Sequence, residues 1–272
     1  MGNELRDLII LIFEGYLKRK EEKRLYQKDS SIPEQIIVMY YKANENPHFR
    51  ILYNNFKRKY LYNESRIDET ISEDERKGLD RVYDYIKEYD FSKKKFDIFV
   101  ESMKIHMLLY SACPYPEFGG ILRDSMAVLK NEIVEVPPAE EARKYFQSFV
   151  GKKLPNVDFS DPNSIFDYIN SCIYITTELI RNQPFADGNK RTFRALLNLM
   201  FKQYNLPPVY VKTKEREEYK DALMRALQKK DYISLNQFYY YKICDSIYDL
   251  DISEELKKEE EKVLVKKSSS KK

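Results

Sequence analysis

Tryptophan is absent from this 272-residue chain, glycine occurs seven times, cysteine three times and histidine twice. Each scarcity excludes something. Three cysteines, Cys113, Cys172 and Cys244, cannot build a dense disulfide framework. Cys172 and Cys244 fall inside apolar helical patterns, so all three are expected to be reduced residues of a cytoplasmic protein. Two histidines, His48 and His106, cannot by themselves assemble a His-rich metal site. Neither charge sign dominates: 47 basic and 44 acidic residues leave a formal net charge of +3, which gives no bulk attraction to nucleic acid. Long apolar runs are also missing. The run at residues 8–13 is too short to span a bilayer and no small-residue cleavage site follows it, so neither a membrane span nor a signal peptide is expected.

What the chain has instead is 43% hydrophobic and 33% charged residues, 23 of them tyrosine, a globular Lys/Tyr-rich composition. Apolar residues recur at helical spacing along most of it. Residues 4–26 read as an amphipathic helix. Ser31, Pro33 and Glu34 mark a second start, with Ile36, Ile37, Met39, Tyr40 and Tyr41 on one face and a stop at residues 44–47. In residues 49–62 aromatics alternate with basic residues; core aromatics with a wet basic face explain this better than a base-stacking surface. Helices are further expected over residues 79–89, 96–109 and 139–149. Gly119, Gly120 and Arg123 lead into residues 127–136, which read as a short hairpin around Asn131 closed by Pro137 and Pro138. An exposed hairpin edge has free backbone groups that pair with an extended segment of another protein. Two long helices follow, the first with Asp161 as N-cap and Pro162 at its first position. Pro207 and Pro208 end the second, residues 209–211 read as an extended connector, and helices containing Tyr219 and residues 235–250 complete the pattern. The fold class is mostly α. The expected division is a helical extension over 1–79, a main domain over 80–250 and a flexible charged tail over 251–272.

The most informative stretch joins the two long helices: residues 181–194, Arg-Asn-Gln-Pro-Phe-Ala-Asp-Gly-Asn-Lys-Arg-Thr-Phe-Arg. A helix start leaves free N–H groups and partial positive charge, Gly188 permits close approach, and Lys190, Arg191 and Arg194 add cations. This is an anion site. Asp187 is its one carboxylate, and a lone carboxylate beside phosphates is a common way to hold Mg²⁺.

The stretch resembles the signature of the Fic (Fic/Doc, or Fido) family, His-Pro-Phe-x-Asp/Glu-Gly-Asn-Gly/Lys-Arg-x-x-Arg. Pro184, Phe185, Asp187, Gly188, Asn189, Lys190, Arg191 and Arg194 match in order and spacing, while Gln183 stands at the histidine. The resemblance implies a Fic-type helical bundle with a short β-hairpin flap, and transfer of AMP from ATP to a Ser, Thr or Tyr hydroxyl of a target protein docked on the flap near residues 125–136. It implies Asp187 as the Mg²⁺ ligand, Gly188, Asn189 and Lys190 lining the anion hole, Arg191 and Arg194 clamping phosphates, and Tyr219 near the nucleotide. It also implies a structural role for His106, buried and hydrogen-bonded. The family histidine accepts the proton of the attacking hydroxyl. An amide oxygen has almost no basicity, so Gln183 orients a hydroxyl without deprotonating it, and losing a general base costs roughly a hundred- to ten-thousand-fold in rate. An impaired adenylyltransferase is the leading reading; a non-catalytic nucleotide- or protein-binding member is the alternative. The lysine after Asn189 also occurs in the Doc branch, which phosphorylates its target. Whether Gln183 is natural or engineered, and the oligomeric state, are left open.

Residues 62–76 resemble the family's inhibitory helix, whose glutamate pairs with the last motif arginine. Two registers compete, Arg66-Ile67-Asp68 and Ser65 with Glu69, so Ser65, Asp68 and Glu69 are the candidate inhibitory residues. An ordinary acidic helix start fits the same residues.

Overall fold

A computed structural model of the chain describes residues 31–43, 53–68, 71–127, 129, 134–158, 160–161 and 163–249. The expected helix at 4–26, residue Glu69 and the tail beyond 249 lie outside them. Nine α-helices are described: α1 (Ile32–Ala43), α2 (Tyr53–Glu64), α3 (Glu73–Glu88), α4 (Ile98–Tyr110), α5 (Ala139–Gln147), α6 (Ser164–Asn182), α7 (Asn189–Gln203), α8 (Arg216–Lys229) and α9 (Ile233–Asp249). Two single 3₁₀ turns stand at Pro116–Phe118 and Thr213–Glu215. The fold is mostly α, and among the described residues the one β contact is an isolated antiparallel bridge between Leu122 and Phe185. Most of the expected hairpin turn, residues 128 and 130–133, falls outside the described residues.

Helix α7 is the axis of the bundle. It packs against α6, α4 and α3, and from Arg191 to Phe201 every side chain is buried. The helices around it begin and end for identifiable reasons. Ser72 and Glu75 form a reciprocal capping box at the start of α3: Glu75 N donates to Ser72 Oγ (3.2 Å) and Ser72 N to Glu75 Oε2 (2.9 Å). Asp97 caps α4 through Val100 N (3.0 Å) and with its other oxygen accepts from Gly151 N (2.7 Å), tying two segments together. The C-terminus of α3 is closed from α7: Lys202 Nζ donates to the carbonyls of Ile86, Lys87 and Tyr89, where partial negative charge accumulates. Gly78 lets α3 cross α4 closely, since a Cβ there would meet the Leu109 carbonyl oxygen at 1.8 Å.

Two sequence expectations are corrected by these elements. Helix α6 starts at Ser164, later than expected, because Asp161 Oδ1 accepts from Asn163 N (3.0 Å) in a local turn and caps no helix. The stretch 62–76 is not one helix. It is the end of α2, a turn held by Ser65 N to Leu61 O and Arg66 N to Asn63 O, and the first turn of α3. The connector 209–211 lies outside any helix, and Asn198 pairs with its backbone, accepting from Val209 N (2.7 Å) and donating to Val209 O (2.9 Å). Buried apolar side chains from each of α1 to α9 join one cluster.

Candidate active site

The loop between α6 and α7 begins with a left-handed residue and ends with another. Gln183 (φ 45°) caps α6 with its N–H on Leu179 O (3.2 Å), and Gly188 (φ 71°) precedes the first turn of α7. Glycine is required at 188 twice over, by its φ and because a Cβ would stand 2.7 Å from the Tyr110 hydroxyl. The same glycine gives the N-terminus of α7 no capping side chain, and a helix start of this kind is where an anion binds.

Gln183 is turned inward. Its Nε2 donates to Ile180 O (2.6 Å) and its Oε1 accepts from Asn189 Nδ2 (3.0 Å), while Asn189 also grips both the N–H and the carbonyl of Phe185. The amide is therefore satisfied inside the loop. Phe185 is fully buried and stacks on His106, with ring centroids 3.9 Å apart and planes 8° from parallel. Gly120 N donates to His106 Nδ1 (2.8 Å), so Nε2 carries the hydrogen and donates to the Asp187 carbonyl (3.0 Å). Burial pulls the imidazole down from 6.5 to about 4. His106 is a neutral pillar with both nitrogens committed, as expected, and is not a substitute base.

At the other end of the loop, Arg191 and Arg194 are adjacent on α7 and both buried. Each meets carboxylates from the region around the α2–α3 turn. Arg194 Nε donates to Glu64 Oε2 and its Nη2 to Asp68 Oδ2, both at 2.8 Å, while Arg191 Nη1 donates to Glu75 Oε1 at 2.6 Å. Arg194 Nη1 is buried and has no hydrogen-bond partner among the described residues. Burial pushes the Glu64 carboxyl above the usual range despite Arg194 beside it. Burial also acts upward on Asp68, but Arg194, with Lys190 and Arg191 behind it, outweighs it and holds that carboxyl low. Glu75 likewise is held low, by the hydrogen bonds of Arg191 and Ser72 working against burial. The turn itself is anchored from behind: Arg216 donates to the Asp68 carbonyl and Thr213 N to Asn63 Oδ1 (3.2 Å).

Of the candidate inhibitory residues, Asp68 reaches Arg194, whereas the Ser65 hydroxyl donates to Tyr62 O (3.1 Å) and accepts from Arg66 Nη1. Glu64, Glu75 and Tyr110 are site residues that sequence reasoning did not select. Glu75 had a legible signal, the Ser72-x-x-Glu75 capping box, but its second bond to Arg191 had none. Tyr219 lies buried beside Arg194, whose guanidinium carbon is 6.0 Å from its ring centroid.

The residues present suit the groups the motif implies. Asp187 keeps a side chain that is 69% exposed, with the Tyr110 hydroxyl at 3.2 Å and Arg191 at 3.6 Å. Among the described residues no group of three His, Cys, Asp or Glu side chains is gathered to hold a metal alone. One accessible carboxylate suits Mg²⁺, which takes one or two protein carboxylates and completes its shell with water and substrate phosphates. The orphaned Arg194 Nη1, beside two guanidinium edges already bonded to carboxylate oxygens, suits phosphate oxygens.

Comparison with known proteins agrees with this geometry. Residues 100–201 match the family model for the Fic/DOC family. A protein adenylyltransferase Fic from Aedes aegypti is 26% identical over 150 residues, 55% of this chain and 28% of that protein. The one from Nematostella vectensis is 27% identical over 150 residues, 55% of this chain and 33% of that protein. The chain thus spans about a third or less of the length of these curated relatives. Among solved structures, Fic-1 from C. elegans superposes with a TM-score of 0.61 at 18% identity, covering 82% of this chain and 71% of that one. A Fic domain containing signaling protein from Bacteroides thetaiotaomicron gives 0.59 at 15% identity, covering 79% and 94%. At these identities the structures speak for the fold alone. Motif, site geometry, family match and fold converge on a Fic domain over residues 100–201.

Proposed function

We propose that this chain binds ATP with Mg²⁺ and is a Fic-type protein adenylyltransferase, acting on a Ser, Thr or Tyr hydroxyl of a target protein, with its transfer step impaired by Gln183. The observation that carries the reading is the pair Arg191 and Arg194 at the N-terminus of α7, each holding carboxylate oxygens where phosphate oxygens would sit. The printed name of the two curated relatives, protein adenylyltransferase, supports AMP transfer as the reaction class. In this reading the hydroxyl oxygen bonds to the α-phosphorus, pyrophosphate leaves, and the hydroxyl proton needs an acceptor. Arg191 and Arg194 hold the phosphates, Gly188, Asn189 and Lys190 line the anion hole, and Tyr219 supports Arg194 from beneath. Bound Mg²⁺ would supply charge neutralisation beside the Asp187 carboxylate. Glu64 and Asp68 are inhibitory residues that withdraw before the outer phosphates reach Arg194. The target docks on the flap near residues 125–136. Three buried free cysteines fit work in a cytoplasm, the cell's own or another's, and no helix of the described residues is long and apolar enough to cross a membrane.

Gln183→His tests the reading, because it returns a base at the one position that departs from the family pattern. With α-labelled ATP the variant is expected to label itself or a target protein at least about a hundredfold faster than the parent, the rate falling below about pH 6.5 as the imidazole protonates. Adding Asp187→Ala or Arg194→Ala should remove the label. The inward hydrogen bonds of Gln183 favour a second reading, a nucleotide-binding protein without transfer. Absence of any label from Gln183→His would decide for that one.

A further inference from the structure

Arg123 is buried, and its donors reach three separate stretches of chain, all through backbone carbonyls. Nε donates to Gln183 O (2.5 Å), Nη1 to Ser125 O (2.7 Å), and Nη2 to Pro137 O (2.5 Å) with a longer contact to Asn182 O (3.4 Å). Its own backbone continues the junction: Arg123 N donates to Pro184 O (2.9 Å), the Arg123 carbonyl accepts from Arg143 Nη2 (3.2 Å), and Leu122 bridges Phe185. Among the described residues no carboxylate pairs with this guanidinium. Its counter-charge comes from carbonyls at the C-terminus of α6, where the helix dipole is negative.

The placement of those carbonyls matters more than their number. Ser125 and Pro137 bracket the stretch on which a target would dock, and Gln183 occupies the position where the attacking hydroxyl meets its proton acceptor. A guanidinium is planar and its N–H bonds point in fixed directions, so one group bonded to all three fixes their mutual geometry. An ammonium on a flexible stem has one nitrogen and cannot span them.

We propose that Arg123 is a positioning residue that closes the base of the flap and sets the register of a docked protein segment against position 183. The kinetic part of this inference rests on the transfer reading above; the structural part does not. Arg123→Lys is the variant of choice, since it keeps the charge in a site where removal would leave several carbonyls buried and unpaired. Hydrogen exchange on the full chain should show peptides covering 121–127 and 134–138 exchanging about tenfold faster than in the parent, the scale of one lost hydrogen bond, with peptides of α6 and α7 unchanged. In the Gln183→His background the same change should raise KM for the protein acceptor about tenfold and leave KM for ATP within about twofold. Unchanged exchange in the flap stems overturns the proposal. So does faster exchange spread evenly over the molecule, or a parallel rise in both KM values, because either describes a residue that only holds the fold together. If Gln183→His transfers no label, the transfer reading fails, and the exchange experiment still decides whether Arg123 fixes the two stems.

Discussion

The two ends of the loop between α6 and α7 satisfy their polar groups in opposite ways. At the first end, Gln183, Phe185 and Asn189 bond one another and the last turn of α6, all within ten residues of sequence. At the second end, Arg191 and Arg194 borrow carboxylates that lie 116, 126 and 130 residues away along the chain. A closed local network gives the loop its shape and commits these side chains to one another and to the backbone. A borrowed one is exchangeable, because any anion with better geometry displaces the lender. The first end is thus built as scaffold, and under the proposed function the second is a binding surface held shut.

The loop, with the side chains that support it, is the easier part to break. Gly188→Ala forces a side chain into a left-handed residue and against the Tyr110 hydroxyl, so a loss of about 4 kcal/mol in urea unfolding is expected. Next in size is a pH effect. His106 has a folded pKa of about 4 against 6.5 when unfolded, so the unfolded chain binds the extra proton between these values. Stability is fully present above pH 6.5 and is lost as pH falls towards 4, by about 3 kcal/mol in total. His106→Gln, which cannot titrate, should lose that much less between pH 7 and pH 4; equal losses in both proteins would mean that the imidazole is not held neutral. Smallest is Gln183→Ala, which unpairs the Ile180 carbonyl and one Asn189 donor at a cost of about 1 kcal/mol. If that substitution were neutral, the glutamine would have no structural share in the loop.

The contrast between the two ends also explains what the sequence could tell. Residues 181–194 were readable as an anion site because the helix start, the glycine and the three cations are contiguous, and the resemblance to the Fic signature rests on the same residues. The bundle was readable from apolar spacing, and the structural role of His106 from the resemblance. Contacts made by distant polar groups were not. Glu64 falls in the last turn of α2, where an acidic residue reads as solvated surface, and nothing local distinguishes it from Glu73. Glu75 announces itself as a capping residue, which accounts for one carboxylate oxygen and hides the other. Asp161 was misplaced as a cap because Asx turns and N-caps use the same residue types. The prolines frame the stretch expected as a flap, but nothing local marks Arg123 as the residue that bonds the carbonyls of both Ser125 and Pro137.

The central claim is that Arg194 is a phosphate clamp filled by the chain's own carboxylates. Calorimetry with Mg-ATP on Glu64→Ala/Asp68→Ala, set against the parent chain, tests it most directly. Freed of two charge-assisted bonds, Arg194 should bind the outer phosphate, and affinity should tighten about ten- to a hundredfold, a gain that adding Arg194→Ala takes away. Equal affinity in parent and variant, or a gain that survives Arg194→Ala, would contradict the account.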